Sequence, residues 1–207
     1  MKPTAASIAG ALSLLAFAAL ALQLWLSLRL GITSGQGTWH GLVMYLGYFT
    51  VLTNMLVAVT ALRASRAPDG GLDHAWRGAA VTSIVMVGLA YHLLLRRIWD
   101  PQGAQWVADM ALHDAVPVAA LAWWLVLPPR RSLPAVLPLR WLLWPLGYSA
   151  YVLLRGALTG PYPYYFIDVG ALGLPRALRN MAGLSLVFVV MACVVWWLAR
   201  WRQRATG

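Results

Sequence analysis

The chain has 207 residues, 61% hydrophobic and only 11% charged, with a formal net charge of +10. Soluble domains carry about 25% charged residues, so this composition excludes an ordinary soluble fold and places the chain in a membrane. Nucleic acid is not the expected partner, because the basic residues sit at the ends of apolar runs and not along one cationic segment.

Six spans are predicted, at residues 5–30, 38–62, 77–98, 104–127, 139–159 and 177–199. Each has the roughly twenty residues needed to cross about 30 Å of hydrocarbon. The expected fold is all-α, a single six-helix transmembrane domain over 1–207. The first run follows Lys2 as a signal peptide would, but it is too long for such a segment and no cleavage site follows, so it reads as a span. The second span aligns Gly47, Thr50, Asn54, Ala58 and Ala61 on one helical face. Small residues there let helices approach closely, and the hydroxyl and amide can bond across. Residues 64–76 form a loop. The third span carries His92 near its outer end, where an interfacial structural histidine is expected, and 98–103 is a tight turn.

The fourth span holds Asp109, His113 and Asp114 among Ala, Val, Leu, Met and Trp. A charge at the centre of a bilayer costs at least about 2.5–3.5 kcal/mol, so such residues face a bundle interior and serve function. Asp109 and His113 are four apart and stack on one face. Pro117 sits four beyond His113, where its ring would clash with the His113 carbonyl and bend the helix beside the imidazole. After a Pro-rich loop at 128–138, the fifth span lines up Trp144, Tyr148, Tyr151, Arg155 and Thr159. Arg155 can snorkel to the interface, pair with Asp168, or hold a substrate carboxylate in its planar fork. Segment 160–176 is rich in Pro, Gly and aromatics; it is too irregular to span and too apolar to float, so it should fold against the bundle mouth. The sixth span contains the only cysteine, Cys193, read as a small apolar filler. One thiol rules out an internal disulfide or a Cys-based metal cluster, and no metal or cofactor is expected.

Ten basic residues collect on one side: Lys2, Arg63, Arg66, Arg77, Arg130, Arg131, Arg140, Arg200, Arg202 and Arg204. Six collect on the other: Arg29, Arg96, Arg97, Arg155, Arg176 and Arg179. The positive-inside rule then predicts both termini in the cytoplasm. Entering from the external side, Thr50 lies about 18 Å deep and His113 about 14 Å deep at 1.5 Å per residue. A threonine hydroxyl is a weak nucleophile until a base takes its proton. A neutral imidazole can do so, with Asp109 or Asp114 orienting the ring. The bland alternative for Thr50 is a hydroxyl bonded back to the carbonyl one turn earlier.

Several stretches look familiar together: YFTVLTN at 48–54, WDPQG at 99–103, LHDAVP at 112–117, and WPLGY followed by RGALTGPYPY within 144–164. They resemble the bacterial six-helix Pr-six-Pr membrane family, which is similar to the eukaryotic androgen-induced and androgen-dependent TFPI-regulating proteins. The resemblance implies an intramembrane threonine hydrolase of fatty acid esters of hydroxy fatty acids, with Thr50 as nucleophile and His113 as its partner. Thr53 is the rival nucleophile. An ester midway along an acyl chain sits in hydrocarbon, where a site at such depth would meet it.

The expectation is an intramembrane lipid-ester hydrolase in a cell membrane, a bacterial plasma membrane on this resemblance, with membrane lipids as partners. Asn54, Asp109, Asp114, Tyr151, Arg155 and Asp168 are the supporting or substrate-positioning candidates. The rivals are a proton-coupled carrier, relaying protons through Asp109, His113 and Asp114, and a non-catalytic membrane regulator.

Overall fold

Long apolar runs without alternation fold as helices, because in hydrocarbon a helix satisfies its backbone within its own segment. The computed structural model describes residues 5–66, 74–126 and 133–206, and among them there is no strand. The helices are α1 (Ala5–Thr33), α2 (Gly37–Gly47), α3 (Phe49–Arg66), α4 (His74–Ala90), α5 (Ala104–Met110), α6 (Val116–Val126), α7 (Leu137–Trp141), α8 (Leu143–Thr159), α9 (Val169–Leu172) and α10 (Leu174–Thr206). A π-helical turn at Tyr91–Leu95 extends α4, and another at Ala111–Ala115 joins α5 to α6. Three helical runs, Ala5–Thr33, Ala75–Leu95 and Leu174–Arg204, are long and apolar enough to cross a membrane, and α2 with α3 makes a fourth if the bent pair is one span. Leu14, Leu93, Leu158 and Leu186 stand exposed on the outside, as lipid-facing side chains do. The chain is an all-helical membrane protein. Lys2, Arg130 and Arg131, and residues 67–73 and 128–132 of the loops expected at 64–76 and 128–138, lie outside the described residues.

The second span is not the single straight helix expected over 38–62. Tyr48 leaves the helical region (φ −84°, ψ 130°), and α3 departs from α2 at 73°. A break inside hydrocarbon strands carbonyls on one side and N–H groups on the other, so it survives only where protein supplies partners. Here α8 supplies them. Tyr151 donates its hydroxyl to the Leu46 carbonyl (3.2 Å) and Tyr148 to the Gly47 carbonyl (3.0 Å). The Arg155 guanidinium packs on Gly47, where an added Cβ would lie 2.8 Å from its central carbon. A cation at a helix C-terminus also complements the dipole. The aromatic stripe of the fifth span is therefore the cap of this break.

A close crossing holds α2 on α1. A Cβ at Gly41 would stand 2.4 Å from the Ser27 carbonyl oxygen, and one at Gly31 2.4 Å from that of Gly37. Only glycine permits this approach.

Near Pro117 the helix widens into the π turn. The Val116 N–H bonds to the Ala111 carbonyl, five residues back, and Pro117 has no N–H to offer. The Leu112 carbonyl is thereby left without a backbone donor. Asn54 of α3 reaches across to it (Nδ2 to O 3.3 Å) while also holding the Thr50 carbonyl at 2.8 Å. This fixes α3 against the turn that carries His113.

Segment 160–168 folds inward over the bundle. Arg155 donates to the Pro161 carbonyl (3.0 Å), Asn180 donates to the Phe166 carbonyl (2.8 Å), and Ile167 and Tyr164 pack with Val152 and Met181.

Candidate active site

Thr50 is the second residue of α3, just past the break, and its Oγ1 lies 3.2 Å from His113 Nε2. His113 Nδ1 sits 3.1 Å from the Asp109 carbonyl oxygen and 3.2 Å from Asp109 Oδ1. Both of these are acceptors, so Nδ1 carries the ring proton. Nε2 is then the lone pair that receives the Thr50 hydroxyl. The Asp109 side chain is buried, Asp109 being only 4% exposed, and such a carboxylate needs donors. Tyr91 gives its hydroxyl to Asp109 Oδ2. The Tyr91 ring stacks on His113 with centroids 4.1 Å apart and planes 17° from parallel. Both π turns meet here, one carrying Tyr91 and the other His113. Such bulges recur at functional sites.

Asp114 does not orient His113. Neighbouring helical residues point about 100° apart, and Asp114 faces α4, where its Oδ1 lies 2.7 Å from His92 Nε2. Arg96 lies 3.1 Å from the other nitrogen of that ring, so His92 belongs to a surface cluster and is not a lone interfacial histidine. Thr53, one turn along α3 from Thr50, is wholly buried and its hydroxyl oxygen accepts from Trp144 Nε1 at 3.1 Å. Tyr151 serves the helix break described above. Arg155 neither snorkels nor pairs with Asp168: it is 6% exposed and donates to the Pro161 carbonyl and Met44 Sδ. Asp168 instead caps α9, accepting the Ala171 N–H at 3.1 Å. Each of the two residues serves a helix end. Cys193 lies on the exposed face of α10 rather than in its core.

Two residues outside the sequence-derived set complete the site. Tyr91 is one. The other is Tyr164, whose hydroxyl lies 3.4 Å from the Thr50 nitrogen and 3.5 Å from Thr50 Oγ1. Its signal was the aromatic loop around it, which said that the segment packs inward but not onto which atom. Burial pushes the Tyr164 phenol up to about 12, so it is a neutral donor at ordinary pH.

Thr50 opens onto a cavity of about 100 Å³ between α3, α4, α8, α10 and the 164–167 segment. Its walls are mostly apolar, with Met86, Val87, Met181 and Phe188 among them, and Thr50, Tyr148 and Tyr164 are among the hydroxyl-bearing residues that line it. The site therefore joins a hydroxyl, a correctly tautomerised imidazole and a buried carboxylate beside an oily chamber. Comparisons with protein-family models, with curated proteins and with solved structures each gave no match, so its chemistry has to be argued from this geometry.

Proposed function

We propose that the chain is an intramembrane hydrolase of lipid esters, with Thr50 as nucleophile and His113 as general base. The observation that supports it most is the 3.2 Å contact between Thr50 Oγ1 and an imidazole nitrogen whose partner nitrogen is held by Asp109. In the reaction, Oγ1 bonds to the ester carbonyl carbon as its proton passes to His113 Nε2, and the carbonyl π pair moves onto oxygen. Asp109 stabilises the imidazolium without taking its proton. Collapse restores the carbonyl, breaks the bond to the alkoxy oxygen, and returns the proton from His113 to that oxygen as an alcohol leaves. Water then repeats the steps on acyl-Thr50, releasing the acid. The apolar cavity suits an acyl chain, and an ester carbonyl within hydrocarbon can meet a buried hydroxyl directly.

The same proposal includes six crossings, with α5–α6 and α8 as the two beyond the four apolar spans, and both termini in the cytoplasm of a bacterial plasma membrane. Purified protein should cleave a lipid ester and be labelled by a fluorophosphonate. Thr50→Ala and His113→Ala should each abolish cleavage, and the double variant should lose little more, because the pair acts as a unit. Thr53→Ala should remain active. Full activity in Thr50→Ala would overturn the assignment. If no ester is cleaved and no label taken, pH-driven flux in proteoliposomes would instead favour the carrier.

A further inference from the structure

Tyr164 has no part in the steps above, yet its hydroxyl lies beside the nucleophile, on the cavity side. Resting on the hydrolase reading, we propose that Tyr164 is a catalytic residue whose phenol O–H, together with the Thr50 backbone N–H, holds the oxyanion of the tetrahedral intermediate.

Hydrogen accounting leads there. The Thr50 hydroxyl proton is committed to His113 Nε2, because the other ring nitrogen carries its own hydrogen. Toward Tyr164, Thr50 Oγ1 can therefore only accept (3.5 Å). The Tyr164 oxygen in turn accepts the Thr50 N–H (3.4 Å). That N–H is available because Thr50 is the second residue after the break at Tyr48, and the first N–H groups of a helix lack partners within it. In the resting state the phenol O–H thus points to Thr50 Oγ1 while the phenol oxygen holds the Thr50 N–H, so both donors stand beside the nucleophile.

Attack changes these roles. Once Oγ1 bonds to the carbonyl carbon, negative charge appears on an oxygen attached to that same carbon, beside both donors. The phenol O–H then swings from Thr50 Oγ1, now bonded to carbon, to this oxygen, and the amide N–H donates to it in place of the phenol oxygen. Atoms balance without a further reactant: the C=O pair becomes the oxyanion lone pair, and neither donor gives up its proton. Preorganisation is the condition for such donors to matter. Tyr164 meets it: the residue is 9% exposed, stacks on Phe166 at 5.1 Å and meets Tyr48 edge-on at 5.6 Å. It lines the apolar cavity next to Thr50, so the substrate carbonyl would enter between them.

The test is Tyr164→Phe, which keeps both ring contacts and removes only the hydroxyl. Loss of one oxyanion donor lowers kcat by about 10²–10³-fold. That loss is expected here with KM little changed. Two non-hydrolysable analogues separate catalysis from packing: a trifluoromethyl ketone, which forms a tetrahedral adduct with Thr50, and an ether of the same chain length. Ketone affinity should fall by a factor similar to kcat while ether affinity stays. Wild-type kcat in Tyr164→Phe, or equal losses for ketone and ether, would overturn the proposal while leaving hydrolysis by Thr50 standing. A wild-type protein that neither cleaves esters nor takes the fluorophosphonate overturns both.

Discussion

Asn54 is the side chain that ties the helix break to the π turn, and removing it should loosen both. Its Nδ2 is the donor for the Leu112 carbonyl, which the π register and Pro117 together leave without a backbone partner. Leaving a buried carbonyl unpaired costs about 1–3 kcal/mol, while hydrogen bonds between membrane helices average about 0.6 and reach about 1.7 kcal/mol. Asn54→Ala also removes Oδ1, which is buried with no hydrogen-bond partner among the described residues, and this offsets part of the loss. The expected net destabilisation is about 1–2 kcal/mol, or about 2–8 °C in Tm for a chain of this size. Thermal unfolding in detergent measures it. A double-mutant cycle with Pro117→Ala tests the cause, because that substitution restores a backbone N–H that can take the Leu112 or His113 carbonyl. The Asn54→Ala loss should shrink in that background. Losses that add within about 0.3–0.5 kcal/mol would refute the reasoning.

Gly41→Ala should destabilise by about 1–3 kcal/mol, because its Cβ would meet backbone atoms of Ser27 and Leu28, which cannot move aside as a side chain can. Gly147→Ala, with nothing within 4 Å of its Cβ, should be neutral or stabilising, and equal Tm shifts for the two would count against the α1–α2 crossing. Tyr148→Phe keeps its ring against Phe49 but loses the bond to the Gly47 carbonyl. Amide exchange should then quicken around residues 46–50, and unchanged exchange there would remove its capping role. Reporter fusions after Arg202 and within 160–176 should report opposite sides of the membrane; the same side for both would overturn the six-crossing arrangement.

Composition alone was enough to put this chain in a bilayer, and an apolar run in hydrocarbon has one way to satisfy its own backbone. The stacking of Asp109 under His113 was equally legible, because an i, i+4 pair meets through helical periodicity whatever surrounds it. Pro117 announced a disturbed helix beside His113, also a local fact. What tertiary structure decided is where each stranded polar group found its partner. Nothing near Tyr48 in sequence marks a 73° break, since the break is stable only because Tyr148 and Tyr151, about a hundred residues on, reach the carbonyls it exposes. Once Arg155 stands at that helix end it is no longer free for Asp168, and Asp168 caps its own short helix. Asp114 turned to His92 for the same reason, as one face of α5–α6 can serve only one neighbour. Tyr164 reached Thr50 because the break left an N–H to be filled. Periodicity is a property of one segment, whereas satisfying a buried donor or acceptor depends on which distant segment packs beside it.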